Sequence, residues 1–447
     1  MSPQAFSAPL KLAALAASLA TFAACAGIVE AGRGPVASPA DTVGPNPVIK
    51  PVDKSLLPTM QIAPAKGWAT GEKPAAAAGL AVNAYATGLD HPRWLYVLPN
   101  GDVLVAETNA PPKPDDSKGI KGAVQKKVQA KAGAGVQTPN RITLLRDADG
   151  DGVAETKTVF IQGLNSPFGM ALVGNELYVA DTDAIVRFPY TPGATSITEK
   201  GQKLTDLPAG NINHHWTKNI IASADGSKLY ATVGSNSNVA ENGLAAEEGR
   251  AAIWEVDRAS GSKRVFATGL RNPNGMAWQG STLWTVANER DELGNDLVPD
   301  YLTSVKQDGF YGWPFSYYGQ HVDDRVKPQS PDKVAKAIAP DYALGAHVAA
   351  LGLAAADKTA LPAPFAGGMF IGEHGSWNRK PPVGYKVAFV PFANGKPAGP
   401  PVDVLTGFVD NQGDAHGRPV GVVIDSKGAL LVADDVGNVV WRTSAAR

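Results

Sequence analysis

What most limits the fold of this 447-residue chain is an internal repeat. A turn with Pro or Gly, an apolar strand, a short turn with Gly or Asn and a second apolar strand recur along it. The clear copies are GLDHPRWLYVLPNGDVLVAE (88–107), GLNSPFGMALVGNELYVADT (163–182), GLRNPNGMAWQGSTLWTVANE (269–289) and GRPVGVVIDSKGALLVADD (417–435). Weaker copies are IIASADGSKLYATVGS (220–235) and GGMFIGEHG (367–375). PNGD, VGNE, DGSK and SKG are turn formers between runs rich in Val, Leu, Ile and Tyr, so each copy reads as a hairpin. Repetition of this kind points to a propeller or related array ahead of other folds.

Further strands lie between the copies, at RITLLRD (141–147), AAIWEVD (251–257) and YKVAFVPF (385–392). They bring each unit to roughly four strands. Six units take about 60 residues each, long for a blade but consistent with inserted loops. The expected fold class is all-β, a six-bladed β-propeller, with seven blades as the alternative. A closed ring protects its edges and buries a core between blades. VGNVVWR (436–442) is placed to pair with the earliest strands and close that ring. The 48 Gly and 35 Pro residues suit a fold with many turns. Residues 110–139 interrupt the first unit and read as a solvated loop; docking of an acidic electron acceptor is the sharper alternative.

The 41 basic and 42 acidic side chains nearly cancel, which speaks against a nucleic-acid groove or an anionic membrane surface as the main partner. Lys11 precedes an apolar stretch, Leu12 to Ala24, that is too short to span a bilayer and suits a signal peptide. Cys25, the only cysteine, follows in TFAAC, a candidate bacterial lipobox with Phe22 where Leu is usual. The domain reading is a signal peptide over 1–25, a Pro- and Ala-rich tether over 26–54 and a catalytic propeller over 55–447. Export to the periplasm follows, either by plain cleavage near Cys25 or with a lipid anchor at Cys25 as the membrane attachment. Stability must come from packing, because one cysteine supports no internal disulfide.

Polar residues cluster before or after the repeat strands rather than scattering. They are His214 and His215, Arg271 and Asn272, Glu289 to Asp291, His347, His374 to Arg379, and His416 to Arg418. Convergence from different repeats is what a central pocket looks like in sequence. RNPNG (271–275), YGWP (311–314), AHVAALGL (346–353), EHGSWNR (373–379) and GRPVGV (417–422) occur in that order. Together they resemble the pyrroloquinoline quinone (PQQ)-dependent soluble glucose dehydrogenase and L-sorbosone dehydrogenase family, over roughly residues 60 to 445.

The resemblance implies an oxidoreductase that takes a sugar or aldehyde, passes hydride to PQQ and hands electrons to a periplasmic or membrane acceptor. It places the catalytic base at His215, a residue type whose pKa suits proton removal near neutrality. Arg271 and Asn272 match the family's Arg-Asn pair over cofactor and substrate, and Arg418 matches an arginine facing the cofactor. Arg379 and Lys380 are candidates for a carboxylate clamp, since guanidinium donates paired bonds to carboxylates. His347 and His416, within or beside the matching motifs, complete the cofactor set. A Ca²⁺ ion is expected on the backbone carbonyls of Arg290 and Asp291, beside Glu289.

Two departures stand out. NERDE replaces the family's Gln-Gly-Pro at the metal position, and Ser235 stands where the glucose enzymes carry the Asp that orients the catalytic His. DADGDG (147–152) has the alternating Asp spacing of a calcium loop, but Thr158 stands where an EF-hand needs Glu, so it reads as a hairpin turn. The competing functions are a calcium-dependent lactonase on a similar propeller and a sugar-binding propeller without turnover.

Overall fold

The computed structural model describes residues 38–53, 59–112, 131–133 and 135–446. Six sheets, each built on four antiparallel strands, follow one another as the blades of a propeller, with short strands added at the edges of the third and fifth. Blade one is built from Pro92–Val97, Val103–Glu107, Arg141–Arg146 and Thr156–Gln162, and blade two from Met170–Val173, Glu176–Ala180, Ala184–Pro189 and Gln202–Asp206. Blade three takes Ile220–Ala222, Lys228–Val233, Ala252–Asp257 and Lys263–Thr268, and blade four Asn272–Gln279, Thr282–Asn288, Pro299–Ser304 and Tyr342–Ala346. Blade five contains Ala350–Ala355, Gly368–Glu373, Lys386–Ala393 and Val402–Thr406. Pro419–Ile424, Leu430–Asp434 and Val439–Ala445 form blade six, whose fourth strand is the N-terminal Leu80–Ala86. The recurring hairpins are the first two strands of each blade, and the strands expected between copies are third strands. Six blades replace the seven-blade alternative.

Closure is carried by the pairing of Leu80–Ala86 with Val439–Ala445, from Leu80 opposite Ala445 to Ala86 opposite Val440. The two ends of the chain thereby share one sheet, as the C-terminal apolar run foreshadowed. Ala75–Ala76 adds to the outer edge of blade five just before this.

The core sits between blades, because successive side chains of a strand point to opposite faces. Val103 and Val105 pack with Leu431 and Ala433 of blade six. Leu104 and Ala106 pack with Phe168, Leu177 and Val179 of blade two. Comparable clusters fill the other junctions. Both faces of a second strand are covered, so Val103–Glu107 and Leu430–Asp434 are buried throughout. Burying each such Leu or Val contributes roughly 2 kcal/mol before the entropy of ordering the chain is counted. Near the ring's centre side chains must vanish: a Cβ on Gly352 would lie 2.1 Å from the carbonyl oxygen of Val420.

Residues 38–53, within the expected tether, lie along the propeller. Gly44 and Ala343 exchange backbone hydrogen bonds of 2.9 Å, and the Asp53 amide donates to Leu293 at 2.9 Å. The signal-peptide segment, Cys25 and most of the basic loop (113–130) fall outside the described residues.

Candidate functional site

Polar side chains reach one mouth of the ring from two places in a blade: the turn into the first strand and the turn out of the second. His91, His215, Arg271 and Arg418 take the first position; Glu289, His374 and Asp435 take the second. Their turns converge on a cavity of about 320 Å³. The cavity also meets Ile62 and Gly133. The segment around Ile62 is fastened there: the Gln61 amide donates to Trp377 at 2.9 Å, and Arg418 Nη2 donates to the Ala63 carbonyl at 3.0 Å. No described lining residue comes from blade two.

His215 lies on the cavity wall. Its Nδ1 lies 2.9 Å from Ser235 Oγ and 3.1 Å from the Ser235 carbonyl oxygen. The Ser235 hydroxyl spends its hydrogen on the Ser237 carbonyl at 2.7 Å. Both contacts are therefore acceptors, so Nδ1 carries a ring hydrogen. Serine reproduces the tautomer that an aspartate sets, without its charge. Gly234 makes this approach possible, since a Cβ there would stand 2.4 Å from His215 Cβ and 2.5 Å from Asn272 Oδ1.

Across blades five, six and one lies a charged cluster that the sequence reading did not assign. Asp435 accepts from His374 Nε2 at 2.9 and 3.1 Å and from Arg93 Nη1 at 2.6 Å, with His91 Nε2 at 3.6 Å. Burial opposes ionisation of Asp435, yet His374, Arg93 and His91 outweigh it and hold the carboxyl well below its usual range. Burial pushes both His374 and His91 down, against the pull of Asp435. A signal for this cluster was present in the repeat itself. The quoted copies end on AE, ADT, GS, ANE, EHG and ADD, which is the turn out of the second strand.

The expected cofactor residues separate. Arg271, Asn272, His347 and Arg418 line the cavity. Arg271 is nevertheless committed to the protein: its three nitrogens bond the Glu289 carbonyl, the Asn238 carbonyl and side-chain oxygen, and Asp291. Arg418 is different, with a buried Nε that has no acceptor, no carboxylate partner among the described residues, and its guanidinium over the Tyr385 ring. Three expected residues are not at the cavity. Arg379 is drawn away by Asp296 at 2.6 Å, Lys380 is exposed beside Asn295, and His416 lies on Trp68 between Asp410 and Glu72. His347 is held at both nitrogens, by Gly294 at Nε2 and by Asn378 and Asp291 at Nδ1. Burial lowers its pKa, but Asp291 outweighs that and raises it.

The residues fit the two implied groups unequally. Buried Nε atoms of Arg93 and Arg418 without acceptors suit the carboxylates of a flat polyanion such as PQQ, and Trp377 adds an aromatic ring to the wall. At the expected metal position the Asp291 carbonyl already accepts from Arg325 at 3.0 Å and Asn238 at 3.3 Å. The Arg290 side chain turns away to Glu289, Asp323 and the Pro314 and Ser316 carbonyls. Asp291 does not fit as a carbonyl ligand. Glu289 Oε1 and Asn272 Oδ1 are buried oxygens without donors and are the better cation acceptors. DADGDG forms the hairpin at the opposite end of blade one; Asp147, Asp149, Asp151 and Glu155 cluster there, with Lys427 Nζ 3.1 Å from Asp147.

Among known proteins, residues 83–376 match the family described as domain of unknown function (DUF7133), and residues 319–444 match one described as TrAA12-like. An uncharacterised protein of Borreliella burgdorferi is 28% identical over 291 residues, 62% of this chain and 76% of that one. A pyrroloquinoline quinone-dependent pyranose dehydrogenase of Coprinopsis cinerea is 25% identical over 357 residues, 66% of this chain. The match takes in 48% of that dehydrogenase, about half its length. In three dimensions the chain is similar to the holo PQQ domain of the Coprinopsis cinerea pyranose dehydrogenase, with a TM-score of 0.66, 21% identity and coverage of 86% of this chain and 100% of that one. The calcium structure of a Trichoderma reesei family AA12 protein gives a TM-score of 0.66 at 19% identity, covering 87% and 99%. The PQQ-bound aldose sugar dehydrogenase of Streptomyces coelicolor gives 0.52 at 18% identity, covering 83% and 100%. At these identities the structural likeness speaks for the shared propeller. With more than half of its length inside the first match, the chain belongs to the DUF7133 family, and PQQ-dependent sugar dehydrogenases stand among its relatives in sequence and in structure.

Proposed function

We propose that this protein is a PQQ-dependent oxidoreductase that oxidises a sugar, or an aldehyde of the sorbosone type, at the mouth of its propeller. The observation that carries the reading is the buried Arg418, which has no carboxylate partner among the described residues and lines the same cavity as Arg93 and His215. Cations this deep with unused donors call for an anionic ligand, because a buried donor left unmade is costly. The relatives' names, which include dehydrogenases that depend on this quinone, supply its identity.

The bound quinone supplies a two-electron acceptor. The chain's own residues supply the rest. Arg418 and Arg93 anchor carboxylates, and Arg271 holds the 289–291 turn in place beside Asn272. His215 Nε2 takes the proton of the donor hydroxyl, with Nδ1–H parked on Ser235. Glu289, with a free Oε1, is the candidate partner for Ca²⁺. Electrons leave to a periplasmic or membrane acceptor, and the chain is exported, with Cys25 as its lipid anchor.

A panel of aldoses and aldehydes, added with a redox dye to the PQQ-loaded protein, tests the reading. Dye reduction that requires both the quinone and a sugar supports it; quinone binding without reduction by any donor favours the sugar-binding alternative.

A further inference from the structure

Oxidising a hydroxyl carbon to a carbonyl breaks one C–H and one O–H bond, forms C=O and releases two electrons and two protons. In the reading above the electrons pass to the quinone and on to an external redox protein or dye, while both protons must reach water. His215 is one acceptor, and its partner Ser235 is uncharged. Among the other cavity histidines, His214 packs edge-on against the His215 ring with centroids 4.7 Å apart, His347 is engaged at both nitrogens, and His91 reaches Asp435 only at 3.6 Å. His374 is set apart. Its Nε2 donates to both oxygens of Asp435, and its Nδ1 has no hydrogen-bond partner among the described residues while the residue lines the cavity.

We propose that His374, oriented by Asp435, is a second proton acceptor of this site, taking at Nδ1 one of the two protons released per donor and passing it to water at the cavity mouth. The proposal rests on the oxidoreductase reading. Asp435 leaves the second strand of blade six as Ser235 leaves that of blade three. The carboxylate absent beside His215 is thus present, two or three blades away, beside His374. An ionised partner fixes the tautomer and offsets the charge the ring gains on protonation. Arg93 pins the carboxylate at 2.6 Å, so Asp435 cannot swing away from the ring. Arg93, His91 and Arg418 are the other charged or titratable groups facing His374.

Two experiments test this. The first needs no cofactor: ¹⁵N NMR of the histidine rings in the apo-protein at pH 8. It is expected to show His374 protonated at Nε2 and bare at Nδ1, with the preference weakened in Asp435→Asn. A ring protonated at Nδ1 instead would overturn the proposal. The second compares half-reactions of the loaded protein. His374→Gln should leave a single round of quinone reduction within about threefold of wild type and slow steady-state turnover with a dye about tenfold, within the range for one proton-transfer group. His215→Gln should instead slow the reduction itself. Steady-state turnover of His374→Gln within twofold of wild type across the pH range overturns the proposal alone. A folded wild-type protein that binds no PQQ removes the oxidoreductase reading and this proposal with it. His374→Asn serves if the glutamine variant does not fold.

Discussion

Blade three and blade six solve the same local problem differently. Each places a polar residue just after its second strand, and each gives that residue an imidazole to hold. In blade three the residue is Ser235, and a neutral hydroxyl with its own carbonyl fixes the His215 tautomer. In blade six it is Asp435, whose charge gathers His374, Arg93 and His91. The contrast teaches that repetition of the blade fixes where a polar group stands, while its chemistry is left to one side chain. A tautomer needs only an acceptor. A cluster of donors that includes a guanidinium needs a charge.

The largest effect is expected at the blade-three end of this comparison. His215→Ala should lower turnover about 10³-fold, within the range for a general base, while PQQ affinity by absorbance titration stays nearly unchanged. Retained turnover would move the base to blade five. Asp435→Asn should cost about 3 kcal/mol of stability at pH 7, since it leaves Arg93 without its buried partner. The sign of its pH dependence follows from the depressed carboxyl. Its stabilisation is present above the unfolded value near 4 and is lost as pH falls toward the lower folded value. Denaturant melts at pH 7 and pH 3 should therefore show the gap to wild type shrinking in acid. Arg418→Ala should weaken PQQ binding roughly tenfold through one lost charge-assisted bond, with little change in the unfolding midpoint. Ser235→Asp sharpens the comparison most finely: it gives blade three the charge of blade six. The acid limb of its pH–rate profile should move about one unit to higher pH; an unmoved limb would mean that Nδ1 does not face residue 235.

Much of the fold was legible because hairpins buried on both faces leave unbroken apolar runs, as in VLVAE and LLVAD, punctuated by turn formers. Blade number and closure followed from counting copies and from the apolar C-terminal run. The site was legible only in part. His215, Arg271, Asn272, His347 and Arg418 stand in turns adjoining strands, where the register of the blade carries them to the mouth. Arg379 and Lys380 lie farther along their loop, where nothing in the sequence foretold the ion pair with Asp296. His416 precedes its strand by only three residues, yet Trp68 and Asp410, remote in sequence, claim its ring. Asp435 was quoted in its repeat but unassigned, because its meaning depends on Arg93 and His374 from two other blades. Pairings across blades are the part of such a site that one-dimensional reading does not reach.

The central claim is that this cavity holds PQQ through Arg418, the arginine there without a carboxylate partner among the described residues. Absorbance titration of the purified apo-protein with PQQ, with and without Ca²⁺ and alongside Arg418→Ala, tests it most directly. Saturable binding by the wild type, weakened in the variant, is the predicted result; a folded wild-type protein that leaves the PQQ spectrum unchanged under both conditions would contradict it.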